Sequence, residues 1–339
     1  MNIVKNILRY FLISCLFLLS FFDVAYSHQL DEQDTGAPAK QRIYLAKSIL
    51  SYGVDTTFCS EYKISAALNL AMLVTEKYEL ISNEEISEVI QELPEKYTAF
   101  DIAKNLEADG ILVVKVEQLR NLLRAEISRI NPESPENVIT GEGYAMLHYF
   151  TDDEHRAIYD PSLLLALQRA FAVVESDSVL FEKQNAKPAP LLAICGIEFQ
   201  KGENSEKWEF FTDELIRSYE MTETIFEIIG NSPDWVVLDI ETRDHLYSLY
   251  NLYGVENNIR PAVSELAALS NFGVKKYITG QIIERSQSND LEINLFLNEI
   301  QFAQVVTCNK VSEITTETDT KKILEILKEL TKKMMFENN

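Results

Sequence analysis

The order of helix-like and strand-like segments occurs twice along this chain. Between Ile64 and Val174 the sequence predicts a long helix, an apolar strand, a short helix, a second helix, three strands and a helix, and the same order returns between Trp208 and Met335. The helices follow from apolar residues at three- and four-residue spacing, and the strands from alternating or continuous apolar runs. The repeat predicts a mixed α/β (α+β) fold of two tandem units. In each unit a mixed sheet starts as a βαβ motif, ends in an antiparallel meander and is covered by helices.

The composition between the two copies predicts where one unit ends and the other begins. We place the first α/β unit at 42–175 and the second at 191–337. The intervening residues 176–190 include Pro188 and Pro190 among polar residues. Such a segment is typical of a linker.

The first residues have the properties of a signal peptide. Lys5 and Arg9 supply positive charge, Tyr10–Phe22 is largely apolar, and Ala25–Ser27 offers small residues for cleavage. An uncleaved membrane anchor is the alternative, but it needs ~20 apolar residues and this run is shorter. We therefore predict a signal peptide at 1–27, a flexible lead at 28–41, and export to the periplasm, with association with the outer membrane left open.

The chain is strongly acidic, with a formal net charge of −22. Removing residues 1–27 takes away two positive charges and one negative charge, so the mature chain carries about −23. Such a field repels phosphates, which argues against nucleic acid and against acidic membrane surfaces as partners. Charges on the predicted strands, such as Lys115, Glu117 and Glu284, also argue against membrane insertion.

Three cysteines remain in the mature chain, namely Cys59, Cys195 and Cys308. An odd number in an exported protein leaves at least one thiol free or intermolecular. Cys195 and Cys308 lie in strand-like runs, where they can pair or stay as separate buried thiols. No Cys or His spacing indicates a metal site, and the sequence predicts no cofactor.

The partner-binding residues that the sequence suggests are three tyrosines. Tyr247, Tyr250 and Tyr253 recur every third residue on the helix predicted at Arg243–Tyr253. Most such residues belong to a core, but tyrosine is also enriched at protein interfaces. We therefore name these three as candidates for contact with a partner.

A group of carboxylates and a histidine gives the alternative site. Asp239, Asp244 and His245 lie near the start of the same helix, where helix capping also explains the acids. A second group, His148 and His155 with neighbouring acids, is typical of a solvated loop. The sequence contains no nucleophile elbow, phosphate loop or zinc spacing, so we do not expect an enzyme.

The second unit resembles a known group of exported domains. Phe272–Gly280 reads FGVKKYITG and leads into strands at Leu291–Ile300 and Gln304–Ile314 and a final helix, and Ala108–Val113 holds the matching position in the first unit. This pattern is similar to the curli-secretion protein CsgG, the amino-terminal domain of TolB, and outer-membrane lipoproteins that activate penicillin-binding proteins. The pattern departs from that group in its lack of a lipidation cysteine, so we expect no lipid anchor, and in its lack of TolB's propeller. The resemblance implies a non-enzymatic domain with protein partners in the envelope.

Together these observations favour an exported, non-catalytic interaction or scaffold protein in cell-envelope or secretion assembly. Its expected partners are envelope proteins, and a homo-oligomer is a further expectation. The alternative is a small-ligand sensor or hydrolase that uses the cleft between the two units, because such clefts are common ligand sites.

Overall fold

The computed structural model describes most of the two predicted units. It covers residues 39–51, 53–56, 59–147, 162–176, 189–202, 208–252, 261–285, 290–301 and 304–337. The predicted signal peptide, nearly all of the lead and most of the linker lie outside these residues, as do His148, His155 and Tyr253.

Each half contains its own set of helices and strands in the same order. The first half consists of β1 Gln41–Leu45, β2 Ile49–Leu50, α1 Glu61–Leu73, β3 Tyr78–Leu80, α2 Asn83–Glu92, α3 Ala99–Asn105, β4 Gly110–Leu119, β5 Leu122–Asn131, β6 Ser134–Met146 and α4 Ser162–Glu175. The second half consists of β7 Leu191–Gln200, α5 Glu214–Ile229, β8 Val236–Leu238, α6 Ile240–Leu249, α7 Val263–Asn271, β9 Lys276–Arg285, β10 Asp290–Gln301, β11 Gln304–Thr315 and α8 Thr320–Lys332.

The two sheets have the same topology, which confirms the predicted fold class. The strand order is β3-β1-β4-β5-β6 in the first sheet, with β2 added beside β4, and β8-β7-β9-β10-β11 in the second. In each sheet the first three strands of this order run parallel and the last three form an antiparallel meander. The repeat in the sequence is therefore a repeat of one supersecondary unit.

Side-chain caps fix where several helices begin. The Ser60 hydroxyl accepts from the Lys63 amide at the start of α1, and Thr98 and Asp101 form a reciprocal capping box at α3. Asn83, followed by Glu84 and Glu85, is the cap that the sequence predicts for α2, but the preceding Ser82 takes this role by accepting from the Glu85 amide. These bonds satisfy amides that have no partner within the helix.

Two predicted boundaries are also wrong. The helix predicted from Trp208 begins at Glu214, because Trp208, Phe210 and Phe211 are buried in the core around a short 3₁₀ turn. The alternating residues Gly143–Phe150 predict a strand, but β6 begins earlier, at Ser134, so that Pro135 lies inside it. A proline is tolerated there because β6 is the edge strand of its sheet.

Among the described residues, four apolar clusters form the core, and one of them joins the halves. In each half, one face of the sheet packs on the first and last helices, α1 and α4 or α5 and α8. The opposite face of the first sheet packs on α2 and α3. The opposite face of the second sheet packs on α6 and α7, and this cluster also contains Leu119, Leu122, Tyr144 and Met146 from the first half. Residues 41–339 are thus one compact unit, while the exact domain boundaries stay a prediction.

Candidate functional site

The structure separates the three predicted tyrosines. Tyr247 is only 1% exposed and belongs to the apolar cluster between the halves, whereas Tyr250, which follows the last residue of α6, is 45% exposed. Because α6 ends at Leu249, Tyr250 does not continue a helical stripe, and Tyr253 lies outside the described residues. Tyr247 is therefore a core residue in this fold, and contact of the tyrosines with a partner stays a prediction.

Tyr247 is part of a buried polar cluster that the sequence did not reveal. The guanidinium of Arg243 lies 5.8 Å from the centre of the Tyr247 ring, donates to the Ile194 carbonyl at 2.7 Å and pairs with Asp244. The Tyr247 hydroxyl lies 3.8 Å from the Cys195 sulfur. Burial raises the pKa of Cys195 to about 11 and also raises the pKa of Tyr247, so both groups are protonated at neutral pH. A buried, protonated thiol is a poor nucleophile, and the cluster acts as structural support for β7 and α6.

The two carboxylates of the alternative site have different structural partners. Asp239 bonds across the junction between the halves, and Asp244 pairs with Arg243 on the same helix. One oxygen of Asp239 accepts from the Thr242 amide at 2.7 Å and caps α6, and the other accepts from the Asn121 side chain at 2.9 Å. Asn121 lies in the turn between β4 and β5, so this bond crosses from one half to the other. Asp244 is occupied by Arg243, and the His245 carbonyl accepts from Ser248. The apolar cluster beside Asp239 fills the junction at this point.

A second buried polar cluster ties the last turn of α4 to the first sheet. Arg129 donates to the Tyr78 hydroxyl at 2.8 Å and to Glu175 at 3.2 Å, and the Tyr78 hydroxyl donates to Glu175 at 2.6 Å. Burial, followed by the bond to Glu175, raises the pKa of Tyr78 to about 12. Glu175 ends α4, where the helix dipole disfavours an acid, and Arg129 offsets this cost.

Arg129 also borders an open groove of about 830 Å³ beside α3. Lys104, Glu107, Asp109 and Glu133 line it together with apolar atoms of Phe100. Within the described part of the chain, no three His, Cys, Asp or Glu side chains are placed to hold a metal ion. The mixed charges of the groove define no single ligand class.

The feature with the clearest functional meaning is the outer side of α1. Its inner side buries Ile64, Leu68 and Met72 against the first sheet. Its outer side carries Tyr62 at 82%, Leu70 at 53% and Leu73 at 55% exposure, with exposed Ala66 between them. At 100° per residue these four side chains lie along one side of the helix. We call Tyr62, Ala66, Leu70 and Leu73 the α1 stripe.

Ala66, Leu70 and Leu73 of the α1 stripe lie in an uncharged stretch of an acidic chain. From Ile64 to Thr75 no residue has an ionisable side chain, although the whole chain has a net charge of −22. Sequence reasoning recognised the inner side of this helix and missed the outer side. The available signal was that α1 carries apolar residues on its outer side as well and no charge after Lys63, which is unusual for a helix with one side in water.

Comparisons with known proteins were made at three levels. No family model and no curated protein sequence matches the chain. Similar solved structures include the LpoB C-terminal domain from Salmonella enterica, at 10% identity and a TM-score of 0.27, covering 38% of this chain and 84% of that chain. The lipoprotein GNA1162 from Neisseria meningitidis is 10% identical with a TM-score of 0.26, covering 31% of this chain and 79% of that chain.

TolB from Acinetobacter baumannii is 12% identical with a TM-score of 0.23, covering 44% of this chain and 29% of that chain. Similarities of this size assign no function to the chain, and the resemblance to CsgG stays a prediction. Among the described helices, none combines the length and the apolar composition needed to cross a bilayer.

Proposed function

We propose that this protein is an exported, non-catalytic interaction module of the cell envelope, and that the α1 stripe is its docking face. The observation that carries this proposal is the exposure of Tyr62, Leu70 and Leu73 on one side of a helix whose other side is already buried. Contiguous exposed apolar side chains on a folded domain are typical of interaction sites.

The energetics favour a protein partner for this face. Complete burial of a large apolar side chain contributes roughly 1.5–3 kcal/mol, so covering the α1 stripe contributes several kcal/mol. If the α1 stripe stays in water, this stabilisation is not gained, and the exposed apolar patch promotes association. A partner helix or sheet with an apolar face would bury the stripe without desolvating any charge between Ile64 and Thr75.

The rest of the fold suits a scaffold. The junction cluster and the Asn121–Asp239 bond connect the two halves directly, so a partner bound at α1 has a fixed orientation relative to the second half. The alternative of a ligand site at Asp239, Asp244 and His245 has no comparable support, since both carboxylates already hold structural partners.

The test is site-specific photocrosslinking in the exporting cell. A photoreactive residue at Leu70 is expected to give one discrete adduct, identified by mass spectrometry as an envelope protein or as a second copy of this chain. A probe at Val263, which is 81% exposed on α7, serves as the matched control and is expected not to give this adduct.

A substitution on the α1 stripe separates a loss of docking from a loss of folding. Leu73→Glu is expected to abolish the Leu70 adduct and leave the thermal midpoint unchanged, because Leu73 is on the solvent side of the helix. If neither Tyr62 nor Leu70 gives an adduct in a folded, exported protein, the docking face is wrong.

A further inference from the structure

We infer that Arg169 on α4 is the centre of a binding site for one small oxyanion, such as phosphate, at the open edge of the first sheet. This site is separate from the α1 stripe and goes beyond the proposed function. The inference follows from a buried positive charge that has no carboxylate beside it, and from the hydrogen-bond donors that surround this charge.

Arg169 is a buried cation without an acidic partner. The residue is only 6% exposed, and among the described residues no Asp or Glu pairs with it. Other arginines in less exposed positions each have a carboxylate oxygen within 2.8 Å, namely Arg124, Arg217 and Arg243. A buried charge is strongly destabilising unless an opposite charge or several hydrogen bonds compensate it. The fold therefore leaves a place beside Arg169 that favours an anion.

One edge of the Arg169 guanidinium is available for that anion. Its Nη1 atom donates to the Tyr144 carbonyl at 2.6 Å. Its Nε atom is buried without a partner, and Nη2 makes no hydrogen bond within the described part of the chain. Nε and Nη2 lie along the same edge of the guanidinium, and such an edge binds two oxygens of one carboxylate or phosphate group.

The open edge of β6 adds backbone donors next to this guanidinium. The Leu147 amide donates into the turn before β5, so Tyr144 and Met146, which alternate with it, direct their N–H and C=O groups away from β5. Their carbonyls accept from Arg169 and from the Ser162 hydroxyl. Their amides have no partner in the ladder, because β6 is the edge strand. Amides at a sheet edge form concavities that bind anions.

The surroundings restrict the ligand to a small ion. Burial lowers the pKa of Arg169, but a guanidinium stays charged at neutral pH. Glu142 on the same strand pairs with Arg124 at 2.6 Å, so its negative charge is compensated. A side chain that is 6% exposed can be reached by a small ion, whereas a protein segment or a lipid surface needs a wider opening.

Binding at this position is linked to the stability of the folded chain. Tyr144 and Met146 also pack in the apolar cluster that joins the two halves. An oxyanion held by Arg169 and the β6 edge binds the folded chain only, since unfolding separates these groups. It therefore stabilises the fold in proportion to its concentration above the dissociation constant.

The first measurement is equilibrium dialysis of the mature full-length chain against labelled inorganic phosphate. A salt concentration of about 0.15 M screens the negative charge of the whole chain. We expect one saturable site per chain, with sulfate and acetate as competitors. Arg169→Gln is expected to weaken binding by about tenfold or more, since it removes charge-assisted hydrogen bonds. Arg120→Gln is the matched control, because it removes the same charge from an exposed turn and is expected to leave binding unchanged.

Thermal unfolding gives a second measurement. Saturating phosphate is expected to raise the midpoint of the natural chain by about 2 °C or more relative to chloride at equal ionic strength. The midpoint of Arg169→Met, which keeps an unbranched side chain without the charge, is expected not to respond. Absence of saturable binding to the natural chain, or equal binding to Arg169→Gln, would overturn the inference. Neither result would affect the proposed docking face on α1.

Discussion

The two halves share one topology but place their small residues differently. Side by side across β4, β5 and β6 lie Val114, Ile127 and Gly141, and the equivalent row across β9, β10 and β11 is Gly280, Leu295 and Val311. The glycine is on the edge strand in the first half and on the inner strand in the second. The difference decides how closely the last helix of each half approaches its sheet.

In the first half the glycines bring helix and strand backbones together. A Cβ on Gly141 would lie 2.3 Å from the Ala170 carbonyl oxygen, and a Cβ on Gly143 would lie 2.1 Å from that of Ala166. In the second half, α8 packs through the larger side chains of Ile323, Leu327 and Leu330. A Cβ on Gly280 would instead meet Ile197 on the neighbouring strand. One topology therefore accommodates two different ways of packing its last helix.

The first helices of the two halves differ in their outer surfaces. Helix α1 has no ionisable residue between Ile64 and Thr75, whereas α5 carries Glu214, Glu220, Glu223 and Glu227. Burial, together with the neighbouring acids, raises the pKa of Glu223. Both helices bury their inner sides in the same way, and α5 also exposes Leu215, Ile216 and Tyr219, so the outer surfaces of the two helices differ mainly in charge.

The largest expected effect comes from the glycine that α4 touches. Gly143→Ala is expected to lower the free energy of unfolding by about 3 kcal/mol or more, because the added Cβ overlaps backbone atoms that cannot move independently. The control is Glu313→Ala at the equivalent position of β11, expected to change stability by less than ~0.5 kcal/mol on its exposed strand. Chemical denaturation measures both, and equal losses would refute the difference between the halves.

Next come the residues that cap the helix after β3 in the first half and the helix after β8 in the second half. Asp239→Ala is expected to cost about 2 kcal/mol, since it removes both a helix cap and the bond to Asn121. Ser82→Ala removes only a cap and is expected to cost ~1 kcal/mol. Denaturant midpoints of the two variants, compared with Asn121→Ala, give the contribution of the cross-half bond. A Ser82→Ala loss as large as that of Asp239→Ala would mean that this bond adds nothing.

A smaller effect is expected at Tyr78, and it depends on pH. Tyr78→Phe is expected to cost ~1 kcal/mol at pH 7 through the lost hydrogen bond to Glu175. The folded-state pKa of Tyr78 is raised from 10.0 to about 12, so its stabilisation is complete below pH 10 and is lost as the pH rises towards 12. The loss of stability across this range is therefore expected to be smaller in Tyr78→Phe than in the natural chain.

The control for this pH effect is Trp235→Phe in the second half. Trp235 also has a cation over its ring, with the Lys276 ammonium 5.3 Å from the ring centre, but Trp235 itself does not titrate. Its substitution is expected to leave the shape of the alkaline stability curve unchanged. Parallel curves for the natural chain and Tyr78→Phe would show that Tyr78 does not titrate as inferred.

The smallest expected effect concerns the thiols and leaves stability unchanged. Cys59 and Cys195 are buried and Cys308 is exposed on β11, and none of the three forms a disulfide. The predicted option of a Cys195–Cys308 bond is therefore wrong. We expect a maleimide reagent at pH 7 to label Cys308 alone in the folded mature chain and all three thiols after unfolding, as measured by intact mass. Rapid labelling of Cys195 in the folded protein would contradict its burial.

Much of the fold could be predicted because it depends on local patterns. Apolar spacing in α1 and α8, the helix start at Thr98, and the continuous apolar run of β4 gave the element order and the repeat. The errors lie where a tertiary contact overrides local preference. Trp208 and Phe210 fit the first turn of the predicted helix. In the structure both side chains are buried in the core, ahead of the first helical residue.

The same distinction between local patterns and tertiary contacts applies to the candidate site. The sequence alone determined the charge balance, the duplicated topology and the uncharged stretch from Ile64 to Thr75, because these depend on composition and periodicity. Only the tertiary structure decided that Tyr247 is core, that Asp239 bonds Asn121 more than a hundred positions away, and that Leu70 faces solvent. The physical reason is that a helix pattern fixes which residues share a side, whereas packing against distant segments fixes which side is covered.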